Sequence, residues 1–156
     1  MKTASVKEIR QEIETLPQQE LVKLCLRLVK FKKESKELVD YILFSAHDEA
    51  AYVQDVKATL DELFTDVNIK NLYFAKKTLR KIVRIATRYI RYSEEPTTEI
   101  ELLIHICTKM KNIGIDYKKS VQLQNLYAAQ LKKIKKAIST MHEDLQYDYL
   151  REIEKL

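Results

Sequence analysis

From Asn71 to Tyr92 the apolar positions return every three or four residues without a break. Leu72, Ala75, Leu79, Ile82, Val83, Ala86, Tyr89 and Ile90 fall on one side of a helix drawn at 100° per residue. Phe74, Ile85 and Tyr92 widen that side to about half the circumference, an arc that only several neighbours can cover. The pattern therefore predicts a long helix at the centre of a bundle. Its other side is basic: Lys70, Lys76, Lys77, Arg80, Lys81, Arg84, Arg88 and Arg91, with no acid between Asp66 and Glu94. At 1.5 Å per residue the stretch spans roughly 33 Å.

The rest of the chain repeats the helical period. Ser5 and Glu8 have capping-box spacing and open a short helix to about Glu14. Pro17 suits the first turn of the next, which runs to about Lys32 with Leu21, Leu24, Cys25, Leu28 and Phe31 as its core face, widened by Val22 and Val29. Ser35 to Ala46 reads as a third helix, with Leu38, Val39, Ile42 and Leu43 inward. This opening resembles the start of uncharacterised bacterial all-helical families, over about the first third of the chain, and the resemblance implies no activity.

Asp48 caps a fourth helix to about Asp66, striped by Tyr52, Val53, Val56, Leu60, Leu63, Phe64 and Val67. Asp55, Glu62 and Asp66 line one of its flanks, and a short link to the basic helix predicts an antiparallel hairpin. Pro96 marks a loop. Thr98 and Glu101 have box spacing for a sixth helix that stops at Gly114, the chain's one glycine. Asp116 starts a seventh helix to about Ile138. Thr140 and Glu143 offer a box for a last one, with a single helix from Tyr117 onward as the alternative. Asn71-Leu-Tyr-Phe-Ala75 recurs as Asn125-Leu-Tyr-Ala-Ala129, the one hint of a repeated hairpin.

The expected fold is all-α: seven or eight helices packed as antiparallel hairpins in one compact domain over residues 1–156, with a short solenoid-like stack as the variant. One glycine and two prolines in 156 residues are too few for a β-rich fold. They also exclude a dinucleotide fingerprint, a P-loop and a nucleophile elbow, each of which needs at least two glycines. The N-terminus lacks the apolar core of a signal peptide and no apolar run reaches membrane-spanning length, so a cytoplasmic location is expected. Cys25 and Cys107 lie in apolar runs and read as buried free thiols.

Net charge changes the picture because of where it sits. Residues 1–67 hold 10 basic and 13 acidic groups, residues 68–93 hold 8 and 0, and residues 94–156 hold 10 and 10. The excess of +5 comes from one helix. Tyr73, Lys77, Arg80, Lys81, Arg84, Arg88 and Arg91 share its outer arc, where guanidinium forks suit phosphates and a tyrosine ring suits stacking. The bland reading is that Asp55, Glu62 and Asp66 neutralise part of this arc across the hairpin, helped by Glu94, Glu95 and the acidic last helix. Lys132, Lys133, Lys135 and Lys136 form a second basic cluster, which reads as lysines bordering a core stripe.

Catalytic patterns are sparse. No histidine has an acid three residues before it, so the di-iron signature is missing, and His-Glu-x-x-His and Cys-x-x-Cys do not occur. His105 and Cys107 point about 200° apart on a helix and form no dyad. His105 reads as a boundary residue with one hydrogen bond. These exclusions lead to a non-catalytic interaction protein binding another protein or itself, with no cofactor, metal, membrane or small-molecule substrate expected. The alternative is nucleic-acid or polyanion binding through residues 70–91.

Overall fold

A computed structural model describes residues 2–156 as eight α-helices: α1 (Val6–Thr15), α2 (Gln18–Phe31), α3 (Lys33–Asp40), α4 (Glu49–Thr65), α5 (Leu72–Ser93), α6 (Pro96–Asn112), α7 (Val121–Ile138) and α8 (Glu143–Ile153). A π turn over Tyr41–Ser45 follows α3 and a 3-10 turn over Tyr117–Lys119 precedes α7. No strand occurs among the described residues, and the all-α class stands. The chain groups into two units, one ending at Phe44 and one running from Ser45 to Leu156.

The second unit holds the core. The short link after α4 makes α4 and α5 an antiparallel hairpin: the Tyr52 hydroxyl, near the start of α4, donates to the Tyr89 carbonyl near the end of α5 at 3.0 Å. Glu49 locks the same end, accepting from the Ser93 hydroxyl and, at 2.5 Å, from the Thr98 hydroxyl. Central place belongs to α6 rather than α5. Ile100, Leu102, Leu103, Ile104, Ile106, Cys107 and Met110 are buried around most of its circumference, and it packs on α4, α5 and α7. Against it α7 lays Ile134, Ala137 and Ile138, and side chains of α8 close over that cluster. The helix α5 buries Ala75, Leu79, Ile82, Val83 and Ala86 but leaves its basic half, and Phe74, in solvent.

Cap chemistry explains most boundaries. The Ser5–Glu8 box forms in full, and Asp48 and Asn71 accept from the first-turn amides of α4 and α5. Gly114 sits at φ 82, just past the end of α6, where a left-handed residue ends the helix. Thr98 is a correction. Pro96 starts α6 two residues earlier, so Thr98 lies inside the helix, buried, and serves Glu49 instead of a cap. Similarly Asp116 caps only the 3-10 turn, Ser120 caps α7, and His142 rather than Thr140 caps α8. The helix is interrupted between Ser139 and His142, so two helices and not one cover the C-terminal stretch. The echoed pentapeptides are not equivalent: Asn71 is an N-cap, whereas Asn125 lies inside α7.

The first unit departs furthest from expectation. None of α1, α2 or α3 contains a buried residue; Tyr41, in the π turn, is the one buried side chain among its described residues. Leu28, Phe31, Leu38, Ile42 and Leu43, all expected inward, are exposed, Phe31 at 84%. Cys25 is exposed as well, while Cys107 is fully buried. Helical periodicity marks an apolar side; it does not supply the element that covers it.

Candidate polyanion interface

Asn71 begins the candidate site by accepting from the amides of Tyr73 and Phe74, which starts α5 with no acid in its first turn. From there every cation on the outer arc follows from one constraint. The apolar half must face α4, α6 and α7, so residues about 180° away face solvent. Tyr73, Lys77, Arg80, Lys81, Arg84, Arg88 and Arg91 lie within an arc of about 100° on the wheel. Six of these seven, all but Arg88, are exposed. Arg88 is half-buried, its guanidinium 5.8 Å from the Tyr89 ring centre. Tyr73 is 66% exposed and meets Phe74 edge to face at 5.4 Å. Lys76 stands beside it, 5.8 Å from the ring centre, and donates to the Gln122 side chain at the start of α7.

The electrostatics of this arc are those of an uncompensated row. Among the described residues, no ion pair or side-chain hydrogen bond engages Lys77, Arg80, Lys81, Arg84 or Arg91. The carboxylates expected to neutralise them do not: Asp55, Glu62 and Asp66 are exposed and hold no ion pair with α5. The reason is the roll of α4 about its axis. Its polar partners face α6, where Lys57 reaches Glu101 at 2.9 Å and Asp61 reaches both His105 Nε2 at 2.6 Å and Lys109 Nζ at 2.9 Å. The flank bearing Asp55, Glu62 and Asp66 is left to water. The lysines at 132, 133, 135 and 136 are likewise exposed on α7.

Asp61 is the residue that sequence reasoning missed. It joins His105 to Lys109 from 44 residues away, a separation at which no local spacing announces a pair. Burial pushes its carboxyl up, but hydrogen bonds from Lys109 and His105, with their charges, outweigh that and hold it below the ordinary carboxylate value. A depressed carboxyl adds stability that is present above the unfolded value, near pH 4, and lost as pH falls through the folded one. Thermal midpoints of wild type and Asp61→Asn should therefore differ at pH 6 and draw together as pH falls below the unfolded value and through the folded one.

Beside this cluster an open cleft of about 490 Å³ is lined by Lys57, Glu101, His105, Tyr149 and Glu152, among others. Of its polar groups, Lys57 and Glu101 are paired with each other and His105 with Asp61. Burial pushes the Cys107 thiol up to about 12, which keeps it protonated and a poor nucleophile at neutral pH. No helix is long and apolar enough to cross a membrane, and no cluster of three or more His, Cys, Asp or Glu that could hold a metal ion occurs, among the described residues. No family model, curated protein or solved structure matches the chain.

Proposed function

We propose that the chain is a non-catalytic, cytoplasmic interaction protein that binds a polyanion, nucleic acid being the class, along the outer face of α5. One observation carries the reading: five exposed cations of one helix face stand without a protein partner among the described residues. Self-repulsion along such a row is a small but real cost that a phosphate backbone relieves. The exposed Tyr73 and Phe74 at the start of the face add rings on which bases stack.

Binding to a random-sequence duplex and to a single strand across a salt series tests this. With about five phosphates neutralised, log K against log salt should fall with a slope near −4.5 for duplex. Absence of binding to either at 20–50 mM salt, a range where electrostatic contacts of this kind are strongest, would end the proposal. Tighter binding to the single strand would assign Tyr73 and Phe74 a share of the affinity.

A second reading has its own support. Val6, Val22, Leu26, Leu28, Phe31, Ile42, Leu43 and Phe44 are all more than half exposed within the first unit, and open apolar surface on that scale marks protein contact. On this reading the chain also binds a protein.

A further inference from the structure

Among the eight α-helices of the described residues, α5 and α7 alone hold no aspartate or glutamate. The fold makes these two parallel neighbours. Glu94 and Glu95 turn α6 back along α5. Helix α7 turns back again, since Ile100 and Leu103 at the start of α6 cluster with Ile134 and Ile138 at the end of α7. Two helices that each run against a third run with each other. They meet near their starts, where Lys76 donates to Gln122, and near their ends, where Ile90 packs on the cluster that holds Ile134 and Ile138. The step of 46 residues from Lys76 to Gln122 carries Ile90 to Lys136, so one register fits both contacts.

That register and the helical turn place the charges. On α7, Lys133 and Lys136 lie within about 40° of Gln122, on the side turned to α5. On α5, Arg80, Arg84 and Arg91 lie roughly 40° to 80° from Lys76, round towards solvent. Lys133 is level with Thr87, between Arg84 and Arg91, and Lys136 is level with Ile90. Axes of packed helices are about 8–10 Å apart, so the two sets form the rims of one seam. Ala129, on the same side of α7, is exposed, so no other element closes over it. Among the described residues no ion pair or side-chain hydrogen bond engages Lys133 or Lys136. Lys132 and Lys135 lie about 100° further round, towards the side where the Tyr127 hydroxyl donates to the Leu156 carbonyl at 3.1 Å.

The rings say which polyanion fits. Tyr73 falls in line with Arg80 and Arg91 on the wheel, and Phe74 is exposed beside it. Such rings stack on a base only where its face is open, and a duplex hides both faces in its own stack. A strand with unpaired bases uses rims and rings together. We infer that α7 supplies the second rim of the site, through Lys133 and Lys136, and that the ligand is a single-stranded nucleic acid laid along the seam between α5 and α7. The inference rests on the polyanion reading of α5 above.

The test uses the full chain and a labelled oligothymidylate. With the five cations of α5 and these two lysines, about seven phosphates are neutralised, and log K against log salt should fall with a slope near −5; α5 alone would give about −3.5. Lys133→Glu with Lys136→Glu should weaken binding at 50 mM salt by on the order of ten- to a hundredfold and bring the slope to about −3.5. The same change of charge at Lys132→Glu with Lys135→Glu should cost less than about threefold. Lys133→Gln with Lys136→Gln should give a smaller loss in the same direction, and all three variants should keep the wild-type melting curve. Equal losses from the two glutamate pairs would make the effect one of overall charge and overturn the inference. Wild-type binding that ignores the Lys133 and Lys136 pair also overturns it and leaves the ligand on α5 alone. A duplex bound as tightly as the single strand overturns it too, while the reading of α5 stands. No binding of either nucleic acid removes both.

Discussion

Reversing Lys77, Arg80, Lys81 and Arg84 to glutamate should lower the affinity for nucleic acid at 50 mM salt by on the order of a thousandfold and flatten the salt slope from near −4.5 towards zero. The four side chains lie consecutively on the exposed arc, and each lost phosphate contact removes about one counterion from the slope. The choice of positions comes from the structure. Arg88 shares the arc but is half-buried and stacked towards Tyr89, so changing it would mix folding with binding. The other four make no hydrogen bond or ion pair among the described residues, so their reversal should leave the thermal midpoint within a few degrees of wild type. Equal binding by the reversed protein, or a loss traceable to unfolding, would remove α5 from the interface. Fluorescence anisotropy with a labelled oligonucleotide, beside a melting curve on the same samples, separates the two.

Leu79→Ala should cost about 2–5 kcal/mol of unfolding free energy, and Phe31→Ala within about 0.5 kcal/mol of nothing, although both residues sit on apolar helical stripes. Leu79 is fully buried where α5 meets its neighbours, and truncation there leaves a cavity as well as losing transfer energy. Phe31 is 84% exposed at the end of α2. Urea denaturation followed at 222 nm gives both numbers from the shift in midpoint. Comparable costs at the two positions would mean that Phe31 is covered in solution.

What the chain's pattern made legible was local. Ser5 with Glu8, Asp48, Asn71 and Gly114 work through atoms two to four residues away, so their roles are visible in a string of letters. The apolar stripe of α4 was equally plain, because five of its seven members fill one side of a 17-residue helix. The outer arc of α5 was legible as a list of residues, though not as an unpaired one. Whether Asp55, Glu62 and Asp66 answer it depends on how α4 is rolled about its axis, and its polar contacts go to α6 instead. The same limit hid Asp61, whose partners are distant in sequence, and misplaced Cys25, Leu38 and Ile42. Period alone says which side of a helix is apolar; it is silent on whether another element arrives to cover it.

That a chain concentrates nearly all its burial after Ser45 also sets how it opens. Amide hydrogens protected by buried side chains exchange only when a cooperative unit unfolds, while those of helices with open flanks exchange through cheap local fraying. The amides of α5 and α6 should therefore exchange slowly, with rates indifferent to protein concentration. Those of α1 to α3, where no residue is buried, should exchange fast under the same conditions. One polypeptide would then keep two clocks, a fast one in its first three helices and a slow one in the helices that follow.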